Sequence, residues 1–493
     1  MVPLSDSRAQ TGSSRYSPNI PKTWDDEAVR SLEVPLVEPS ASPKHVTSGY
    51  YYSMPVRPIF KSYPVYHPDR EPRGYLASLS THEPEVVFDA SKLNTEADWI
   101  RAGELVFDAP IEFMSGGTLN SLVRTRDWYS KNHVPVTKEG ILPFFRYVVR
   151  EKGKVELGIL ACAHCHSRVM ADGTVVQGAQ GNFPDDRTFG YETRIAYAQA
   201  KDRNAVLEDF RKFLHRTYAT PWLRPDPIAQ TENMSIEELV PVLEAITPGV
   251  CARQGTSIYY PVRIPSLIGL KDRRYFDASG LVRHRTIGDV MRYAALNQGA
   301  DLLSEYGAFR PVGNLPLPTT QSRYSDEQLY ALALYLYSLA PPPNPNHFDD
   351  LAARGNAVFD REGCGGCHTP PLYTNNKLTP AAGFNVPESH RAQFDVLPVS
   401  VGTDPDLTMR SRRGTGYYKV PALTGVWYRG AFGHAGAVAT LEDWFDPRRL
   451  RNDYVPTGFR GVGVRTRAVK GHEFGLGLSA PDRRALIAFL KTL

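Results

Sequence analysis

The sequence predicts a mainly α-helical chain, with two copies of one small helical domain in tandem behind a long irregular N-terminal arm. Three observations predict it. Cys-x-x-Cys-His occurs twice, as Cys162-Ala163-His164-Cys165-His166 and Cys364-Gly365-Gly366-Cys367-His368. Each copy lies between an amphipathic segment ending in Gly-x-x-Val-Phe-Asp and a later apolar helix opened by serine. Residues 1–93 are rich in Tyr and Pro, as in Tyr50-Tyr51-Tyr52 and Tyr63-Pro64-Val65-Tyr66.

The elements follow in order. The arm, 1–93, should wrap the domains rather than form a third core. The first domain spans 94–340. It opens with Trp99-Ile100-Arg101-Ala102-Gly103-Glu104-Leu105-Val106-Phe107-Asp108 and carries an insertion, 109–161, before its Cys-x-x-Cys-His. A proline-fixed turn follows, Arg263-Ile264-Pro265-Ser266-Leu267-Ile268-Gly269. The closing helix starts at Ser325-Asp326-Glu327, a serine N-cap with acidic first-turn residues, and has leucines at 329, 332, 336 and 339. Pro341-Pro342-Pro343-Asn344-Pro345 reads as a stiff extended linker. The second domain, 341–493, repeats the plan with Leu351 to Asp360, the second motif, Lys419-Val420-Pro421-Ala422-Leu423-Thr424-Gly425, and a helix opened by Ser479-Ala480-Pro481-Asp482. Phe276 matches Phe432, Gly280 matches Gly436, and Thr286 to Asp289 matches Thr440 to Asp443 after a two-residue slip.

Composition narrows the function classes. A length of 493 residues suits two or three domains, and 42% hydrophobic with 22% charged residues is a globular balance. No apolar run reaches the roughly 20 residues of a membrane span. A net charge of +4 without a concentrated basic stripe argues against nucleic acid, although it could suit an acidic electron-transfer partner.

The spacing Cys-x-x-Cys-His is the attachment signature of c-type haem. The thiols of Cys162 and Cys165, and of Cys364 and Cys367, add to the vinyl groups of one haem each. His166 and His368 are then the proximal iron ligands. The motifs use four of the five cysteines, and Cys251 reads as a small buried hydrophobe. No strand–helix–strand pattern frames either motif as a redox dithiol. The pairs lie far beyond the roughly 15–20 residues of a zinc ribbon. Haem attachment to thiols places the protein in the periplasm or outside the cell. Met1 to Asp6 lacks the charged and apolar regions of a signal peptide, so a mature start is expected.

The unequal halves carry the functional reading. With the closing helices aligned, His472 falls opposite Pro318; with the proline turns aligned, His434 falls opposite Ala278. Both histidines that could be the distal ligand of the second haem are therefore missing from the first half. His472, in a loop just ahead of the closing helix, is preferred over His434. A second haem closed by two histidines suits electron transfer, and an open first iron suits dioxygen or peroxide. His284 or His215 could cap the first iron instead. Tyr275, Phe276, Val290, Met291 and Tyr293 are candidates for the first distal pocket, with ordinary core as the alternative. Asp289, Asp301 and Glu305 are the nearest carboxylates for acid catalysis. Arg263, Arg273, Arg292 and Arg429 are candidates to pair with haem propionates. Phe276, Trp427 and Trp444 could lie between the haems or simply pack the core.

These residues resemble the bacterial dihaem cytochrome c peroxidase superfamily. The resemblance covers roughly 94–493 and rests on the two motifs, Lys419 to Leu423 and Gly433 to Glu442. Gly471-His472-Glu473-Phe474-Gly475-Leu476 and Arg292-Tyr293-Ala294-Ala295-Leu296 are most similar to the dihaem rubber oxygenases. The resemblance implies two cytochrome c-like haem domains, two covalent haem c groups, and cleavage of an apolar alkene-type substrate, small or polymeric, with dioxygen at the N-terminal haem. It also implies a rival, a peroxidase or protein-oxidising enzyme using peroxide with a cytochrome or cupredoxin donor. A non-catalytic electron carrier is a third reading. Peroxidases place a Gln and a Glu soon after Phe-Trp-Asp-Gly. Here that segment is Tyr275-Phe276-Asp277-Ala278 and the Gln position falls near Val290 or Met291, so that acid–base pair is not visible. The usual methionine ligand of the second haem has no counterpart near Arg448. A Ca²⁺ ion between the domains is implied by the resemblance alone.

Overall fold

A computed structural model describes residues 16–252, 255–312 and 322–493. Pro318 and the Met1 to Asp6 segment lie outside the described residues. Helices make up 37% of the residues, with small sheets beside them. Among the described residues no helix is long and apolar enough to cross a membrane.

The repeat is physical as well as textual. Helix Glu96–Asp108 packs on helix Asp326–Ser338, and helix Asp350–Arg361 packs on helix Ala480–Lys491. A side chain at Gly103 would collide with the carbonyl of Ala331, and one at Gly355 with the carbonyl of Ala485. Ala331 and Ala485 stand at the same step after Ser325 and Ser479. The next turn repeats as well: Phe107 packs on Tyr335 and Phe359 on Phe489, each pair with centroids 5.3 Å apart. Glycine is needed at both crossings because the helix backbones touch there. The caps form as the sequence predicts, Ser325 accepting from the Gln328 amide and Ser479 from the Asp482 amide.

Two regions differ from expectation. The insertion folds as β-structure. Strands Glu112–Met114, Ile141–Glu151 and Lys154–Ile159 form an antiparallel sheet whose far edge is Ser62–Tyr66 from the arm. This sheet has its own core, including Val65, Leu79, Trp128, Leu142, Phe144, Phe145 and Leu157. The arm thus contributes to a third core. Its earlier part enters the first helical core through Trp24, Leu32, Tyr51 and Ile59. The strand is hard to read from sequence because Leu142 to Val149 is apolar but for Arg146, without the alternation of a half-exposed strand. The span between the first motif and its proline turn, expected as loop, carries helices Asp185–Gln199, Arg203–Tyr218 and Ile236–Glu244.

Candidate functional site

Each Cys-x-x-Cys-His motif opens onto its own cavity. Cys162–His166 is a single helical turn, and Cys364–Gly366 a 3₁₀ turn entered through left-handed Gly363. Burial raises the Cys162 thiol to about 12 and the Cys364 thiol to about 11, so both are neutral thiols rather than thiolates. The histidines are oriented alike. His166 donates Nδ1–H to the Pro265 carbonyl (3.1 Å), which makes Nε2 the basic nitrogen of the neutral ring. His368 donates Nδ1–H to the Tyr373 carbonyl (2.9 Å), and the Pro421 carbonyl also bonds it. Pro265 and Pro421 are the matched prolines of the two turns, a role that the alignment of the repeats could have suggested.

The second cleft holds about 1850 Å³, counting space open to solvent, and Cys364, Cys367, His368, His434 and His472 all line it. His472 faces His368 with ring centroids 6.2 Å apart and ring planes at 60°. In a five-membered ring of ~1.35 Å bonds each nitrogen lies ~1.1 Å from the centroid. For both imidazoles to bind one metal through bonds of ~2.0 Å, their centroids would have to lie no more than ~6.2 Å apart. The pair has that spacing. Burial, then the neighbouring His368, pushes His472 down to about 4, so its imidazole is neutral and able to bind a metal. Its Nδ1 is buried without a hydrogen-bond partner, so the ring is not held by the fold through that atom.

The loop that presents His472 is fixed by a residue the sequence did not single out. Arg449 is fully buried and lies over Trp444, 4.8 Å from guanidinium carbon to ring centroid. It donates to the carbonyls of Trp444, Val469, Gly471 and His472. The His472 amide donates to Val401 (2.7 Å), and Trp444 and Phe474 flank the ring. His434 is placed differently. It packs on Tyr418 at 4.8 Å and lies 3.9 Å from the Asp404 carboxylate, with burial lowering it to about 4.

The first cavity holds about 3700 Å³ on the same measure and is lined by Cys162, Cys165 and His166. His164 is the other histidine on its wall, and its Nε2 bonds Asp185 at 2.7 Å. The thirteen histidines all fall within the described residues. His284 does not reach the cavity, because one nitrogen bonds the Arg273 carbonyl (2.5 Å) and the other the Tyr337 hydroxyl (2.6 Å). His215 is exposed on the far side of its helix, against Phe309. Of the distal candidates, Phe276, Val290 and Tyr293 line this cavity. Met291 does not; it is fully buried in the helical core. Tyr275 lies outside it, its hydroxyl accepting from the Asp395 amide. Asp289 is spent on capping helix Ile287–Asn297 and binding Arg285, and Glu305 pairs with Arg310. Cys251 is buried, and it also lines the cavity.

Between the cavities lies a cationic cradle lined by Arg263, Arg273, Arg429 and Lys419. Burial, then mutual repulsion, lowers Arg263 and Arg273 to about 10 and Arg429 to about 9. Arg273 donates to the Ser266 and Ile268 carbonyls and Arg429 to the Ala422 carbonyl. Among the described residues these three guanidiniums form no salt bridge. Buried like charges without a counter-ion are costly, so the cradle is built for anions. Arg292, grouped with them by the sequence, is elsewhere. It bonds Asp289 (3.2 Å) and the Lys22 carbonyl (3.3 Å). Trp427 packs on Tyr428 at the cradle's edge, Trp444 sits in the second cleft, and Phe276 stacks on His284. Among the described residues no group of three or more His, Cys, Asp or Glu gathers to hold a further ion.

No protein-family model and no curated protein matches the chain. Among solved structures it is similar to hydrazine synthase from Kuenenia stuttgartiensis, at 16% identity over 58% of this chain and 87% of that one, with a TM-score of 0.30. It is also similar to a MauG-like protein associated with microbial copper homeostasis, at 17% identity over 34% of this chain and 56% of that one, with a TM-score of 0.22. Scores this low carry no functional weight, and the reading rests on the site itself.

Proposed function

We propose that the chain is a dihaem c-type oxidoreductase of the periplasm or cell exterior, with one covalent haem in each cleft. The domains are 94–340 and 341–493. When bound, the haems would supply redox-active iron, able at an open axial position to react with dioxygen or peroxide. Cys162, Cys165 and His166 would hold the first group, and Cys364, Cys367, His368 and His472 the second. Arg263, Arg273 and Arg429 would neutralise propionates.

The observation that carries this reading is the inequality of the halves. His368 faces a second imidazole at metal-spanning distance. His166 opens instead onto a cavity of twice the volume, walled by Phe276, Val290, Leu302 and Leu303 and with no histidine opposite. These four offer an apolar patch to a substrate, in a cavity whose wall also carries charged residues such as Arg57, Arg150, Asp186 and Glu192. The first half is accordingly the oxygen-handling site for an apolar alkene or aromatic substrate, and the second the electron-transfer site.

Mass spectrometry after denaturation should find two covalent haems, and one in the Cys364→Ala/Cys367→Ala variant. Oxygen uptake with an isoprenoid or styrene-like alkene should exceed turnover with peroxide and reduced cytochrome. The opposite ranking would make the protein a peroxidase. Two haems that bind neither carbon monoxide nor cyanide would make it an electron carrier and end the proposal.

A further inference from the structure

Beside the second cleft the surface carries cations and apolar side chains that the fold leaves exposed. Arg467, on the cleft wall, donates from its guanidinium to the Phe459 carbonyl (3.0 Å) and from its amide to the Tyr454 carbonyl (2.8 Å). These bonds close the base of a loop, residues 460–466. Arg460, Val462, Val464 and Arg465 of the loop are exposed, as are Lys470 and Phe474 just beyond it. Arg460, Arg465 and Lys470 form no salt bridge among the described residues. From Tyr454 to Phe474 the chain has one carboxylate residue, Glu473. The patch reaches the rim of the cleft, because Lys470 and Phe474 also line it, together with Leu397 and Val401. Val399, between those two, is 66% exposed. Phe474 packs edge-on against the His472 ring at 5.3 Å.

We propose that loop 460–466, with Lys470 and Phe474, is the surface on which an acidic electron-transfer protein docks to exchange an electron with the second haem. Exposed apolar side chains gathered on one surface mark an interaction site. Cations without partners around them steer a molecule of opposite charge and raise its rate of arrival about 10- to 1000-fold. One electron passes from the reduced centre of the partner to the second iron, and no bond is made or broken. The place of the patch favours a redox protein over other acidic partners. Phe474 faces solvent and also touches the His472 ring, so a partner seated on it stands one side chain from the facing histidines. A nucleic acid engages roughly 6–10 phosphates, more than three cations can serve. The inference rests on the electron-transfer reading of the second half.

The test compares two small redox proteins of opposite charge, an acidic plastocyanin and a basic mitochondrial cytochrome c, by titration calorimetry against the haem-loaded protein at low ionic strength. The wild type should bind plastocyanin about tenfold more tightly, and added salt should remove the difference. The double variant Arg460→Glu/Arg465→Glu should reverse the preference. Val462→Ser/Val464→Ser should weaken plastocyanin binding about threefold and leave its salt dependence unchanged. Stopped-flow oxidation of the reduced second haem by the same two carriers should follow the same ranking. Equal affinities, a preference that survives charge reversal, or tighter binding to phosphatidylglycerol vesicles than to plastocyanin would overturn the docking surface alone. Binding as expected without electron exchange at the second haem would end the electron-transfer reading of the second half, and the proposal with it.

Discussion

Replacing His472 by alanine removes one of the two imidazoles that face each other across the second cleft. The centroids are 6.2 Å apart. With their nitrogens turned towards each other, the two ring radii would leave about 4 Å between them, room for two ~2.0 Å metal–nitrogen bonds. If both rings hold a haem iron there, an external ligand would be kept off it. Arg449 and Val401 hold the loop and not the imidazole, so truncating the ring leaves the loop in place. With haem bound, the substitution should then let the second cleft take an external ligand. The assay is optical titration of the reduced, haem-loaded protein with carbon monoxide. The wild type should take up one equivalent, at the first haem. His472→Ala should take up two, and His434→Ala should still take up one. The reasoning is refuted if the wild type takes up two, or if His434→Ala and not His472→Ala gains the second.

Arg429→Ala should act in opposite directions with and without haem. It relieves repulsion in the haem-free chain, which should melt higher, and it should cost the loaded protein about 3–5 kcal/mol by breaking a buried ion pair; calorimetry of both forms checks this. Gly355→Ala should destabilise by roughly 1–3 kcal/mol, because its methyl group meets the Ala485 carbonyl and the helices must separate; a thermal melt that does not move would show that the crossing can yield. Burial holds His434 near 4 in the folded chain, against about 6.5 when unfolded. The unfolded state alone takes up that proton between these values, so the contribution is complete above pH 6.5 and declines as the pH falls towards 4. It amounts to about 3 kcal/mol at most. Denaturant midpoints measured across that range should fall less steeply in His434→Gln than in the wild type.

Much of the plan was legible in the chain because its signals are local. Cys-x-x-Cys-His is a pattern contained within five residues. A serine with acidic residues in the next turn favours a helix start, as at Ser325 and Ser479. A repeat exposes its differences by alignment, and His472 and His434 have no histidine counterparts in the first half. The preference for His472 came from its place in a loop, and the structure puts its ring opposite His368. Other features needed the third dimension. Arg263, Arg273 and Arg429 look no different in sequence from Arg292, yet only the fold gathers the three and sends Arg292 to Asp289. Val290 and Met291 are neighbours on one helix, and the direction of the helix alone turns the first to the cavity and the second to the core. Arg413 lies 136 residues from Asp277, and no periodicity or spacing rule links them. The sequence by itself determined where the Cys-x-x-Cys-His pattern falls and that it occurs twice, because a motif depends on residue type and short spacing. The tertiary structure decided which charges meet and which walls face a cavity, because contacts between distant segments are set by how the whole chain packs.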